Sequence, residues 1–147
     1  MEAYLMCGAP GSGKSTYISR NLPNAVVVSG DNVRAELYGD PSIQGNWMEI
    51  QRRMVEIIAE NVGKDIVIDG THCLKQYRDN MVAILADHGY TKVTAILVDK
   101  PLEVCLKQNA SRSRQVPEEV IRKMHHSFRE STKNIINESF YRIEHVY

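Results

Sequence analysis

No apolar run in this chain of 147 residues approaches the ~18 residues that a bilayer-spanning helix requires. The opening Met1-Glu2-Ala3-Tyr4 has no basic stretch and no long apolar segment behind it, so no secretory leader is expected. Both absences point to a soluble, cytoplasmic chain with no membrane partner. Excess charge is missing too, since 18 Lys and Arg balance 18 Asp and Glu. Without a global field of either sign, a protein that coats nucleic acid or an anionic surface is disfavoured. Cysteine is scarce and odd in number. Cys7, Cys73 and Cys105 form no C-x-x-C pair, which argues against a disulfide framework or a zinc site and suits a reducing compartment. All three read as packing residues. No internal repeat, low-complexity tract or linker interrupts the sequence, and 43% hydrophobic content is enough for one buried core, so a single domain over residues 1–147 is expected.

Against these absences one stretch stands out. Gly8-Ala9-Pro10-Gly11-Ser12-Gly13-Lys14-Ser15-Thr16 follows the apolar run Tyr4-Leu5-Met6-Cys7 and leads into the helix-compatible Tyr17-Ile18-Ser19-Arg20. It matches the phosphate-binding pattern G-x-x-x-x-G-K-[ST]. In that pattern the glycines let backbone N–H groups turn inward around a polyphosphate, the lysine reaches the β/γ oxygens, and the hydroxyl after it can ligate Mg²⁺. The helix that follows directs its positive end at the same anion. A chance match in a chain this long is on the order of one in two hundred. A merely structural Gly-rich turn would leave Lys14 without a purpose.

Strand and helix signals alternate along the chain. Ala3 to Cys7, Ala25 to Val28, Asp65 to Asp69 and Val93 to Val98 are short apolar runs of the kind buried on both faces of a parallel sheet. Phe140 to Tyr147 is a possible fifth. Helices are expected over Lys14 to Asn21, briefly over Asn32 to Leu37, and from Trp47, where Trp47, Ile50, Met54, Ile57, Ile58 and Val62 recur at helical spacing. Leu74, Tyr77, Met81, Ile84, Leu85 and His88 trace one face of the next. Pro101 and Pro117 open two more, the latter with Val120, Ile121, Met124 and Phe128 inward. Between these two, Asn109 to Gln115 is polar and carries Arg112 and Arg114. The expected fold is therefore α/β, with three layers, a parallel sheet of four to five strands and helices on both faces.

In such sheets ligands bind beyond the carboxyl ends of the strands. That rule gathers the phosphate loop, Asp31 and Arg34 after the second strand, and Asp69, Thr71 and His72 after the third. Two readings of Asp31 stand side by side: a helix N-cap, or a carboxylate that takes the proton of an acceptor hydroxyl while Arg34, three residues on, holds an anionic group of that acceptor. Asp69 is either a satisfied carboxylate at a strand end or a group that orients Mg²⁺. Arg112 and Arg114 belong either to a solvated turn or to a lid, about residues 109–116, that lays a guanidinium on a transferring phosphoryl group. His125 and His126 are expected at the surface. A GTPase would carry N-K-x-D, which is absent, and a motor ATPase would usually carry Asp-Glu after its third strand, where Asp69-Gly70 stands. A small phosphotransferase remains.

The segments 8–16, Ser29-Gly30-Asp31-Asn32-Val33-Arg34, Ile68-Asp69-Gly70-Thr71-His72, Val98-Asp99-Lys100-Pro101, Lys107 to Arg112 and Val116 to Glu130 together resemble the 5′-hydroxyl polynucleotide kinase domain of the phage T4 type. That domain lies within the wider P-loop kinase group, which includes small-metabolite and zeta-toxin-like kinases. The resemblance covers nearly the whole chain. It implies ATP and Mg²⁺ as cofactors, with Gly11, Ser12, Gly13, Lys14, Ser15, Thr16, Arg112 and Arg114 around the nucleotide and Ser15 and Asp69 at the metal. It also implies Asp31 as general base, Arg34 on the 3′-phosphate of the terminal nucleotide and Arg112 on the phosphoryl group; Thr71 and His72, from their place after the third strand, are expected on the substrate side. A nucleic-acid 5′-hydroxyl end, DNA or RNA, would be the substrate. The lid departs from that family, with Gln108 and Ala110-Ser111 where more basic residues are usual, and Arg114 is placed to compensate. Two alternatives stay open: a small-metabolite kinase using the same D-x-x-R arrangement, and a nucleotide-binding regulatory module without turnover.

Overall fold

The β-branched runs do form strands, and all of them run the same way. The computed structural model describes residues 1–147, with β1 (Ala3–Cys7), α1 (Lys14–Asn21), β2 (Val26–Ser29), α2 (Gly30–Tyr38), α3 (Trp47–Glu60), β3 (Ile66–Asp69), α4 (Lys75–Asp87), β4 (Val93–Val98), α5 (Leu102–Ala110), α6 (Glu118–Thr132), a 3-10 turn (Ile135–Asn137) and β5 (Arg142–Val146). The five strands make one sheet in the order β2-β3-β1-β4-β5, and every pairing is parallel. The uncertain tail is the fifth strand, with Thr94 opposite Arg142 and Val98 opposite Val146. No helix is long and apolar enough to cross a membrane.

Alternation along each strand divides the core in two. Ala3, Leu5 and Cys7 of β1, Ile66 and Ile68 of β3, and Val93, Ala95 and Leu97 of β4 pack with Ile50, Met54 and Ile58 of α3, Met81 and Leu85 of α4, and Phe128 of α6. Met6, Val67, Ile96 and Val98 point the other way, toward Ile18 of α1. A third, smaller cluster joins Ala9 of the phosphate loop to Cys105 of α5 and Ile121 of α6. The loop is thereby seated on two helices as well as on the end of β1. All three cysteines are free and buried, as packing residues should be.

Several side chains sit elsewhere than periodicity suggests. Helix α2 begins at Gly30 rather than Asn32, with Ser29 as its cap. Trp47 is 48% exposed, because the first turn of α3 overhangs the core and the buried face starts only at Ile50. On α4 the inward residues are Arg78, Met81 and Leu85, while Leu74 and Tyr77 face solvent. His126 is exposed as expected, but His125 is buried and its Nε2–H donates to the Lys100 carbonyl at 2.8 Å. The imidazole lies between α6 and the β4–α5 connection and satisfies a backbone acceptor there.

Candidate phosphoryl-transfer site

The loop between β1 and α1 is shaped by two left-handed glycines. Gly11 has φ 80° and a Cβ there would stand 2.4 Å from the Cys105 carbonyl, so only glycine lets the loop lie on α5. Gly13 has φ 100° and turns the chain into α1. Lys14, the first helical residue, curls back so that its ammonium donates to the Gly8 and Ala9 carbonyls, both at 2.9 Å. Burial pushes the Lys14 pKa down; the neighbouring Asp69 carboxylate opposes that shift and the Arg112 charge adds to it. Lys14 therefore feels both the Asp69 carboxylate and the Arg112 guanidinium. The Ser12 hydroxyl is fully buried and meets no hydrogen-bond partner within the chain. A buried, unspent donor in an N–H-rich loop fits an anionic oxygen.

The carboxyl ends of β2 and β3 are level, with Ser29 opposite Asp69. This register carries Asp31, two residues beyond Ser29, to the same edge of the sheet as Asp69. Asp31 is not the helix cap. Ser29 fills that position, its Oγ accepting the Asn32 N–H at 3.0 Å, which leaves the Asp31 carboxylate free on the first turn of α2. Two guanidinium groups meet it: Arg34 Nη1 at 3.3 Å and Arg114 Nη1 at 3.2 Å. Desolvation raises the Asp69 pKa, Lys14 draws it back, and the Asp31 charge adds to the rise. No hydrogen bond contributes to the Asp69 shift, and Ser15 is exposed on the first turn of α1. Two uncommitted oxygen donors beside the loop fit Mg²⁺, a hard cation that uses few protein ligands and keeps several waters.

The segment from Asn109 to Val116 is closed at its base. Asn109 is buried and pairs both ways with Val116, donating Nδ2–H to its carbonyl and accepting its N–H, each at 2.9 Å. Gln115 ties across the same loop to the Ala110 carbonyl at 3.0 Å. Arg112 is exposed at the tip. Arg114 reaches toward α2 instead, bonded to Asp31 at 3.2 Å and to the Pro41 carbonyl at 3.3 Å.

Thr71 and His72 sit where β3 leaves the sheet. The Thr71 carbonyl accepts the Gly8 N–H at 2.9 Å, joining this turn to the phosphate loop. His72 has φ 42°, the one left-handed non-glycine residue, and its ring Nδ1–H donates to the Met6 carbonyl at 2.7 Å. Burial, with lesser help from the Lys14 and Arg78 charges, pulls its pKa down to about 4, so the ring is neutral at physiological pH. Arg78 went unread in the sequence. It is fully buried, forms a two-pronged pair with Glu138 at 2.9 and 2.8 Å, and donates to the His72 carbonyl at 3.0 Å and to the Ser131 Oγ and carbonyl. A lone arginine on an amphipathic helix carries no mark of burial, and its partner lies 60 residues on.

A family model for an AAA domain matches residues 4–131 of this chain, from the start of β1 into the last turn of α6. The chain belongs to the AAA domain family. Among solved structures, a chain of the "Pnkp1/Rnl/Hen1 RNA repair complex" superposes with TM-score 0.74 at 20% identity over 90% of this chain and 45% of that one. The APS kinase CysC of Mycobacterium tuberculosis, in complex with AMPPNP and APS, gives 0.58 at 24% identity over 75% and 69%. A gluconokinase from Sinorhizobium meliloti 1021 gives 0.58 at 15% identity over 98% and 81%. This AAA domain protein thus has the α/β fold of P-loop kinases, with its five parallel strands. It spans less than half the length of the RNA repair complex chain it matches.

Proposed function

We propose that the chain is an ATP-dependent kinase that moves the γ-phosphoryl group to the 5′-hydroxyl of a polynucleotide end. The observation that carries this reading is the Asp31 carboxylate, left free by the Ser29 cap, held by Arg34 and Arg114, and electrostatically coupled to Asp69 beside Lys14. An alcohol placed between Asp31 and the loop loses its proton to the Asp31 carboxylate as its oxygen bonds to the γ-phosphorus. The bond from that phosphorus to the β–γ bridging oxygen breaks, and ADP leaves with the electron pair. Lys14 exchanges the Gly8 and Ala9 carbonyls for the β/γ oxygens, and Gly11, Ser12, Gly13 and Thr16 present the rest of the cradle. Mg²⁺ held through Ser15 and Asp69 would neutralise charge on the same oxygens. Arg112 is positioned at the lid tip to meet the transferring group, and Arg34 to hold a phosphate next to the reacting sugar. Arg114 serves the acceptor side, where it steadies Asp31. Thr71 and His72 form the wall between the acceptor and the loop.

A small-metabolite kinase is the second reading, favoured by the likeness to the gluconokinase and APS kinase folds. The test is a panel of acceptors with labelled ATP: a nucleoside 3′-phosphate, the free nucleoside, a 5′-hydroxyl oligonucleotide, gluconate and adenylyl sulfate. Labelled 5′-phosphate on the oligonucleotide and the 3′-phosphorylated nucleoside, with little on the free nucleoside, is expected. Label on gluconate or adenylyl sulfate alone would move the assignment to the second reading.

A further inference from the structure

The helical spacing of α3 predicts that Trp47 faces the core, yet the residue is 48% exposed and lies outside the main hydrophobic cluster. Its position is nonetheless fixed. Asn46 caps the helix, its side-chain oxygen accepting the Met48 and Glu49 N–H groups, and the Asn46 N–H donates to the Tyr38 hydroxyl at 3.1 Å. Arg34 Nε donates to the Gln44 carbonyl at 3.3 Å, drawing the connection before α3 over the head of α2. The ring edge of Trp47 and Nη1 of Arg34 consequently lie 3.9 and 3.2 Å from the one point where a Cβ on Gly30 would stand. Gly30 directly precedes Asp31. The exposed aromatic ring, the guanidinium and the carboxylate thus share the same end of α2.

We propose that the face of Trp47 is the stacking platform for the base of the nucleotide whose 5′-hydroxyl meets Asp31. This inference rests on the kinase reading above and narrows its acceptor to one that bears a nucleobase. A nucleotide carries its planar base one ribose away from the 5′-oxygen and its 3′-phosphate on the other side of that ribose. Trp47, Asp31 and Arg34 offer a partner to each: a π-face, a base for the proton and a cation. An open-chain sugar acid has no planar π-face to stack on the indole, whereas a nucleobase does. Stacking accepts every base, in keeping with an enzyme that acts on ends rather than sequences.

Trp47 is the only tryptophan in the chain, so its fluorescence reports the contact directly. The protein is titrated with a 5′-hydroxyl, 3′-phosphorylated dinucleotide and with its counterpart abasic at the 5′ position, and acceptor kinetics are measured for the wild type, Trp47→Ala and Trp47→Phe. Quenching by the first ligand and not the second is expected. Trp47→Ala should raise the acceptor KM by roughly 5- to 150-fold, the range that base stacking supplies, with kcat little changed and with most of the loss recovered in Trp47→Phe. An unchanged KM in Trp47→Ala, or equal quenching by both ligands, overturns the inference while phosphorylation of the 5′-hydroxyl by the wild type leaves the kinase reading standing. No product from the wild type with any 5′-hydroxyl strand overturns both.

Discussion

Arg78 offers a quantitative test of how the turn after β3 is held. It is fully buried, and Glu138, its partner, is 3% exposed. The same guanidinium supplies the His72 carbonyl and both oxygens of Ser131, while Ser131 Oγ donates to the Cys73 carbonyl at 2.6 Å. Arg78→Met removes every one of these donors and strands the Glu138 carboxylate in the interior. Removing one partner of a buried pair costs about 3–5 kcal/mol. For a chain of this size each kcal/mol lowers Tm by about 2–4 °C, so a fall of roughly 10 °C is expected. The double variant Arg78→Met, Glu138→Leu removes the stranded charge and should recover part of the loss, but the His72 and Ser131 carbonyls keep it below the wild type. Urea unfolding at pH 7 and calorimetry measure both quantities. A single variant within about 1 kcal/mol of wild type, or a double variant no better than the single, would refute the view that this pair clamps the turn to the end of α6.

Other outcomes follow from the charges around the site. His72 is depressed to about 4 in the folded state against 6.5 when free, so the unfolded chain takes up the proton first as pH falls. Stability from this group is complete above pH 6.5 and is lost progressively toward pH 4, by up to about 3 kcal/mol. Urea unfolding between pH 7 and 4.5 should show a shallower decline for His72→Asn, which tolerates the left-handed backbone and cannot titrate; parallel declines would contradict the assignment. Arg114→Ala removes a partly exposed pair worth about 0–1 kcal/mol, so Tm should hardly move while the acceptor KM rises. A large loss of Tm with unchanged kinetics would instead make Arg114 structural.

Those features of the fold that depend on local chemistry were legible in the sequence. The valine and isoleucine runs announce strands buried on both faces, and the glycines around Lys14 announce a loop that only left-handed residues can make. The polar run from Asn109 to Gln115 announces the loop between α5 and α6, which the two-way pairing of Asn109 with Val116 closes at its base. What stayed hidden depends on partners distant in the chain. His125 looks like a surface histidine until the Lys100 carbonyl is brought to it, and Arg78 looks like a solvated helix residue until Glu138 closes over it. Trp47 misleads in the other direction, because periodicity assumes that a helix packs along its full length and the first turn of α3 does not. Asp31 was ambiguous between cap and base, and Ser29 settled only the first half of that question by taking the cap.

On the kinase reading, the Asp31 carboxylate and the phosphate loop serve one reaction. The decisive comparison is single-turnover transfer from ATP to a 3′-phosphorylated nucleoside by the wild type and by Asp31→Asn. The expected rate in the variant is lower by roughly 10²–10⁴-fold, the span for a lost general base, with ATP binding unchanged. A variant that transfers as fast as the wild type, or one that loses ATP binding in step with transfer, would contradict it.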